Sequence, residues 1–108
     1  MSKYESFFVS DEIRERKVTL ADGTEHLLHF RELPAVEFRK FGLAERSEDD
    51  DVRSEATVRL IAASLCEPDG SSAITLEQAR KLKPHVASAL FEAVLDVNRV
   101  RRGEQGNA

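Results

Sequence analysis

The chain has 108 residues, of which 41% are hydrophobic and 33% charged, with a formal net charge of −4; that is room for one domain and no second core. Acids and bases are intermixed, which argues against a dedicated nucleic-acid binder, because such a protein needs a basic stripe to neutralise phosphates. A single cysteine, Cys66, excludes an internal disulfide, no apolar run approaches the roughly 20 residues of a membrane span, and "MSKYESFFVSDE" lacks the apolar core of a secretion signal, so a soluble cytoplasmic protein is expected.

Residues 1–16 are expected to form a flexible N-terminal arm. They are highly charged apart from Phe7, Phe8 and Val9, and the aromatic pair is a candidate for docking elsewhere. From Lys17 the pattern changes to a hairpin: "KVTLADGTEHLLHF" sets Asp22-Gly23 between two apolar stretches. Gly23 suits the left-handed position of a three-residue loop over residues 21–23, which pairs Leu20 with Thr24. Val18, Leu20, His26, Leu28 and Phe30 then share one face, and Thr19, Glu25, Leu27 and His29 the other. A two-residue loop would set Val18 against Leu27 instead. In either register His26 and His29 cannot converge on one ion, because side chains alternate along a strand and residues three apart point to opposite faces. No cysteine or carboxylate pair nearby completes a tetrahedral set.

Pro34 suits the first turn of a helix, where its missing N–H costs nothing, and Gly42 is a plausible stop. Phe38 and Phe41 fall on one face of that short helix and are expected to dock onto the sheet. "SEDDD" at residues 47–51 places four acids in five residues. It reads as a solvated loop that brings negative charge to the next helix's positive end; it lacks the alternate spacing and glycine of a calcium loop. A second helix is expected over residues 52–66, with Val58, Ile61, Ala62 and Leu65 on its stripe and Cys66 at its end, unactivated.

"EPDG" is turn chemistry, and "TLEQ" opens another helix, with Thr75 and Gln78 forming a capping box. Lys83-Pro84 redirects the chain. The last helix, from Pro84 to about Val97, carries two adjoining apolar stripes: Val86, Leu90, Ala93, Val94 and Val97, and beside them Ala87, Phe91 and Leu95. So wide an arc either sits centrally in the fold or offers its spare face to a partner. Residues 99–108 read as a polar, disordered tail, in which Arg99, Arg101 and Arg102 suit a helix C-terminus. Residues 17–98 thus form a single α+β domain: a small antiparallel hairpin or sheet followed by three to four packed helices.

No phosphate-binding glycine loop, HExxH, CxxC or GxSxG motif occurs. His85 has no nameable acid–base partner. The chain is therefore expected to be no enzyme, to hold no cofactor or metal, and to work by binding protein.

The order "VTLADGTEHLLHFRELPAVEFRKF", "RLIAASLCEPDGSSAITLEQARKLKP" and "ALFEAVLDVN", covering about residues 18–98, resembles the tail assembly chaperones of long-tailed bacteriophages and related prophages. The resemblance rests on "DGTE", "RELPAVEFRKF", "EPDG…ITLEQA" and "LFEAVLDVN" in that order and spacing. It implies a non-enzymatic protein of the host cytoplasm, absent from the mature virion, that coats the tape measure protein while the tail tube forms. In this family a translational frameshift often yields a longer form whose extension recruits tail tube subunits. Such a client asks for shallow apolar grooves rimmed by charge, which receive an amphipathic helix. Phe7, Phe8, Phe91 and Leu95 are the candidate partner-binding residues, homo-oligomerisation is left open, and no membrane or nucleic-acid partner is expected. Two other readings stand beside this one: a structural tail or connector protein retained in the virion, and a small prophage regulator using Arg99, Arg101 and Arg102 on nucleic acid.

Overall fold

A computed structural model describes residues 3–98. After a 3-10 turn at Glu5–Phe7 come β1 (Ile13–Thr19), β2 (Glu25–Arg31), α1 (Ala35–Glu45), α2 (Asp50–Ser64), β3 (Leu65–Cys66), α3 (Leu76–Ala79) and α4 (Pro84–Val97). The three strands form one antiparallel sheet in the order β1-β2-β3. The class is α+β, as the alternation and periodicity of the sequence indicate. The arginine-rich tail expected at residues 99–108 lies outside the described residues.

The hairpin adopts the three-residue loop. Val18 pairs with His26, the Leu20 amide donates to the Thr24 carbonyl at 2.9 Å, and Gly23 takes a φ of +89° that side chains other than glycine's rarely permit. Asp22 finishes the turn by accepting from the Thr24 amide and hydroxyl at 2.9 and 2.7 Å, bonds that hold its carboxyl below the usual range. Val18 and Phe30 are buried on the inner face, and Leu27 is 59% exposed on the outer one.

Strand β1 begins at Ile13, upstream of Lys17 where alternation becomes visible. Arg14 and Arg16 occupy inner-face positions there, and each carries its charge outward along an aliphatic stem. Arg14 reaches Glu32 at 2.7 Å, and Arg16 reaches Asp96 of α4 at 2.8 Å. Two arginines at core-side positions disguise a strand.

Helix α1 runs through Gly42 to Glu45, so that glycine is no stop. A helical glycine costs only about 1 kcal/mol relative to alanine, and the two turns that precede it in α1 carry it. α1 packs against α2, and Phe41 meets Phe91 of α4 with ring centroids 5.4 Å apart. Phe38 and Phe41 pack against the core cluster that joins Val18 and Phe30 of the sheet to Leu60 and Ile61 of α2. Asp49 caps α2 by accepting from the amides of Asp51 and Val52 at 2.9 and 3.4 Å. Most of the acidic run is thereby a helix start: Asp50 and Asp51 fill its first turn, and Asp50 pairs with Arg53.

The second helix ends at Ser64, and Leu65 and Cys66 turn out of it to form β3 against Phe30 and His29. Arg31, which the sequence did not single out, organises this edge. Its guanidinium donates to the carbonyls of Ala63 and Gly70 at 2.8 and 2.6 Å and to the Ser72 hydroxyl at 3.1 Å. The buried Ser64 hydroxyl returns a bond to the Arg31 carbonyl at 2.8 Å. Under the clamped turn Cys66 is buried, and that burial pushes its thiol pKa up. Thr75 and Gln78 form the capping box of α3, and Lys83, in extended backbone before Pro84, redirects the chain into α4.

Val18, Phe30, Leu33, Leu60, Ile61, Leu65, Leu90, Val94 and Val97 make up the core between sheet and helices. Truncating Phe30 to alanine should therefore cost roughly 3–5 kcal/mol in urea denaturation, whereas Leu27→Ala on the same strand should stay within about 0.5 kcal/mol. The Cys66 thiol should react with Ellman's reagent far more slowly than free cysteine at pH 8 and catch up once urea unfolds the chain. Labelling at the free-cysteine rate in the native protein would contradict its burial.

Candidate protein-binding surface

His26 and His29 leave β2 on opposite faces. His26 Nε2 lies 3.0 Å from the Thr24 hydroxyl, and His29 Nε2 lies 3.3 Å from Glu15 of β1. Among the described residues no three histidine, cysteine, aspartate or glutamate side chains gather as a metal site would require. None of the described helices is long and apolar enough to cross a membrane.

The candidate contact residues separate into two kinds. Phe7 and Phe8 are 73% and 71% exposed, beside half-exposed Tyr4 and Val9. Tyr4 and Phe7 rest on each other at 5.4 Å, and the segment is tied to the domain by the Ser10 amide, which donates to Glu32 at 2.9 Å. Glu32 also receives Arg14, so one carboxylate joins the arm, β1 and the end of β2. Phe91 and Leu95 are covered by their own chain: Leu95 is buried, and Phe91 is half-buried beneath Phe41. α4 uses its wide apolar arc at the centre of the fold.

A hollow of about 250 Å³ opens between α1, α2 and the start of α3. Phe41, Ala44, Ala56, Leu60, Ala62 and Leu76 line it with apolar surface, and Glu37, Lys40 and Arg59 stand among them as its charged lining. Small side chains on both helices, Ala44 and Ala56, keep the groove open, and Phe91 supports Phe41 from below. Beyond the rim α1 exposes Val36 and Leu43, each about one turn from Lys40, so apolar surface continues outside the hollow. The rim is electrically linked. Glu55 accepts from Arg59 at 3.0 Å and Arg80 at 2.6 Å, and Arg80 foremost holds its carboxyl below the usual range. Glu55 thus ties Arg59 of the groove lining to Arg80, just after α3. Placing a helix end at Gly42 hides the groove in the sequence, since Leu43 and Ala44 then fall in a loop.

The residues that line the groove include no serine, threonine, cysteine or histidine. The groove offers apolar surface edged by fixed charge, which is what a polypeptide-binding face requires.

No family model matches the chain, and no curated protein sequence matches it. Among solved structures, that of the bacteriophage HK97 tail assembly chaperone is similar, with a TM-score of 0.55 and 20% sequence identity over 87% of this chain and 89% of that chain. The likeness extends over nearly the whole of both chains, and the fold of this protein resembles that of a phage tail assembly chaperone.

Proposed function

We propose that this chain is a tail assembly chaperone of a long-tailed bacteriophage or prophage. In this reading it binds the tape measure protein in the host cytoplasm, keeps it soluble while the tail tube is built around it, and is absent from the finished virion. It carries out no catalysis and needs no cofactor. The observation that carries the reading is the likeness in fold to the HK97 protein over 87% of the chain, found on a sequence whose own segment order already resembles that family.

The surface supplies a physical route. An amphipathic helix engages a groove through side chains at i, i+3, i+4 and i+7, and the floor between α1 and α2 is apolar with charge along its edges. Phe7 and Phe8, on the segment tied to Glu32 through Ser10, add exposed aromatic anchors. Phe91 contributes from beneath by fixing Phe41, and Leu95 through the interior of α4. A longer form made by frameshifting, reaching the tail tube protein, belongs to the same reading; its signature is a slippery heptamer near the stop codon.

Co-expression with the very long helical protein encoded beside it should yield a soluble complex of the two. Ala44→Arg, which puts a charge into the groove, and the pair Phe7→Ser with Phe8→Ser should each weaken that complex about tenfold or more, with the domain still folded. Failure to associate with any tail protein would overturn the reading, and so would detection of the chain as a subunit in the mass spectrum of purified particles.

A further inference from the structure

We propose that the α1–α2 groove seats an amphipathic partner helix that is basic at one end, and seats it in one sense. The basic end lies against the acidic link between α1 and α2, and the uncharged apolar end lies over residues 72–76. This rests on the reading of the chain as a chaperone for a long helical protein, and it names which stretch of such a client is gripped.

Length comes first. The link between α1 and α2 spans only residues 46–49, so the two packed helices run antiparallel. Ala44 and Ala56 therefore mark the link end of the hollow, and Glu37 and Ala62 mark the other. At 1.5 Å per residue the stretch from Glu37 to Ala44 makes a trough of roughly 10 Å, the span of helical anchors at i, i+3 or i+4 and i+7. A second hollow abuts the first, since Ala62 and Leu76 line both, and it carries the apolar floor on past Ala63, Ala73 and Ile74. In the other direction Val52, exposed one turn before Ala56, extends the floor toward the link. The track is thus longer than two turns of a client helix.

Charge gives the track a direction. Residues 45–53 hold five acids against two bases, Arg46 and Arg53. Asp49 is spent on capping α2, and Arg53 on Asp50 and the Ser47 carbonyl. Glu45 and Glu48 follow the groove-lining Phe41 and Ala44 by four positions each, and both are exposed. Neither meets a basic side chain among the described residues. Along the middle of the track the charges answer one another: Glu37 pairs with Lys40 at 3.7 Å, and Glu55 takes Arg59 and Arg80. The lining of the second hollow carries no charged side chain. The track therefore passes from acidic, through neutralised, to uncharged. Lysines or arginines at the link end gain opposite charge, whereas the reversed seating would bury them against apolar surface.

Fluorescence anisotropy of the full chain with two designed helical peptides tests the seating. Both carry leucines at i, i+3, i+4 and i+7; one ends in three lysines and the other in three glutamates. The lysine peptide should bind about tenfold more tightly at low salt, and added salt should narrow the gap. Glu45→Lys with Glu48→Lys should abolish or reverse that preference. The acids that start α2 stay in place in this variant, and its urea denaturation should match the wild type. In the wild type, a nitroxide on the lysine end should broaden the amide signals of residues 45–53 and spare those of residues 72–76. Failure of both peptides to bind, equal binding, a preference that survives the double variant, or broadening at residues 72–76 instead overturns the proposal. The chaperone reading is decided separately by co-expression: a complex that forms with the tail protein and tolerates the double variant overturns the seating alone.

Discussion

Phe30 is fully buried at the point where the sheet meets the helices, and its neighbour Arg31 points to the opposite face of the same strand. That pair of consecutive residues sets the constraint on which the rest depends. One side chain anchors the core shared by Ile61, Leu90 and Val94, while the other gathers the carbonyls of Ala63 and Gly70. β2 therefore fixes α2 twice, by packing from below and by hydrogen bonding at its C-terminal end. The α1–α2 groove inherits its rigidity from this arrangement, because α2 forms one of its walls.

What the sequence displays depends on how many residues repeat a pattern. The hairpin is legible because Asp22-Gly23 names the turn and alternation on either side names the faces. The capping box of α3 and Pro84 at the start of α4 are legible because each end signal is local and chemical. β3 is not legible: two residues cannot show a period, and their pairing with β2 depends on a partner more than thirty positions earlier. The start of β1 is hidden for another reason. Arg14 and Arg16 stand where apolar residues are looked for, and only their distant partners, Glu32 and Asp96, make those positions tolerable.

The candidate surface was partly legible in the same sense. Phe7 and Phe8 read as unpartnered aromatics and are exposed. The apolar arc of α4 read as either central or spare, and the helices around it decide for the centre. The groove could not be read, since it is made by the approach of two helices and needs α1 to pass through Gly42. Its charged edge likewise depends on Arg80 crossing from beyond α3 to Glu55, a pair separated by 25 positions. The likeness of fold to the HK97 protein at 20% identity fits this picture, because the interactions that shape the domain involve few residues scattered along it.

Asn98 carries one more implication. Its side-chain carbonyl accepts from the Leu33 amide at 2.7 Å, and its amide returns to the Val94 carbonyl at 2.8 Å, so the last turn of α4 is sewn to the segment that leads into α1. Ser10 is moored to Glu32, the residue just before Leu33. The entrance and the exit of the domain consequently lie at one corner. Two consecutive residues, Glu32 and Leu33, thus hold both the arm and the last turn of α4, so loosening the short link between β2 and α1 would free the two together.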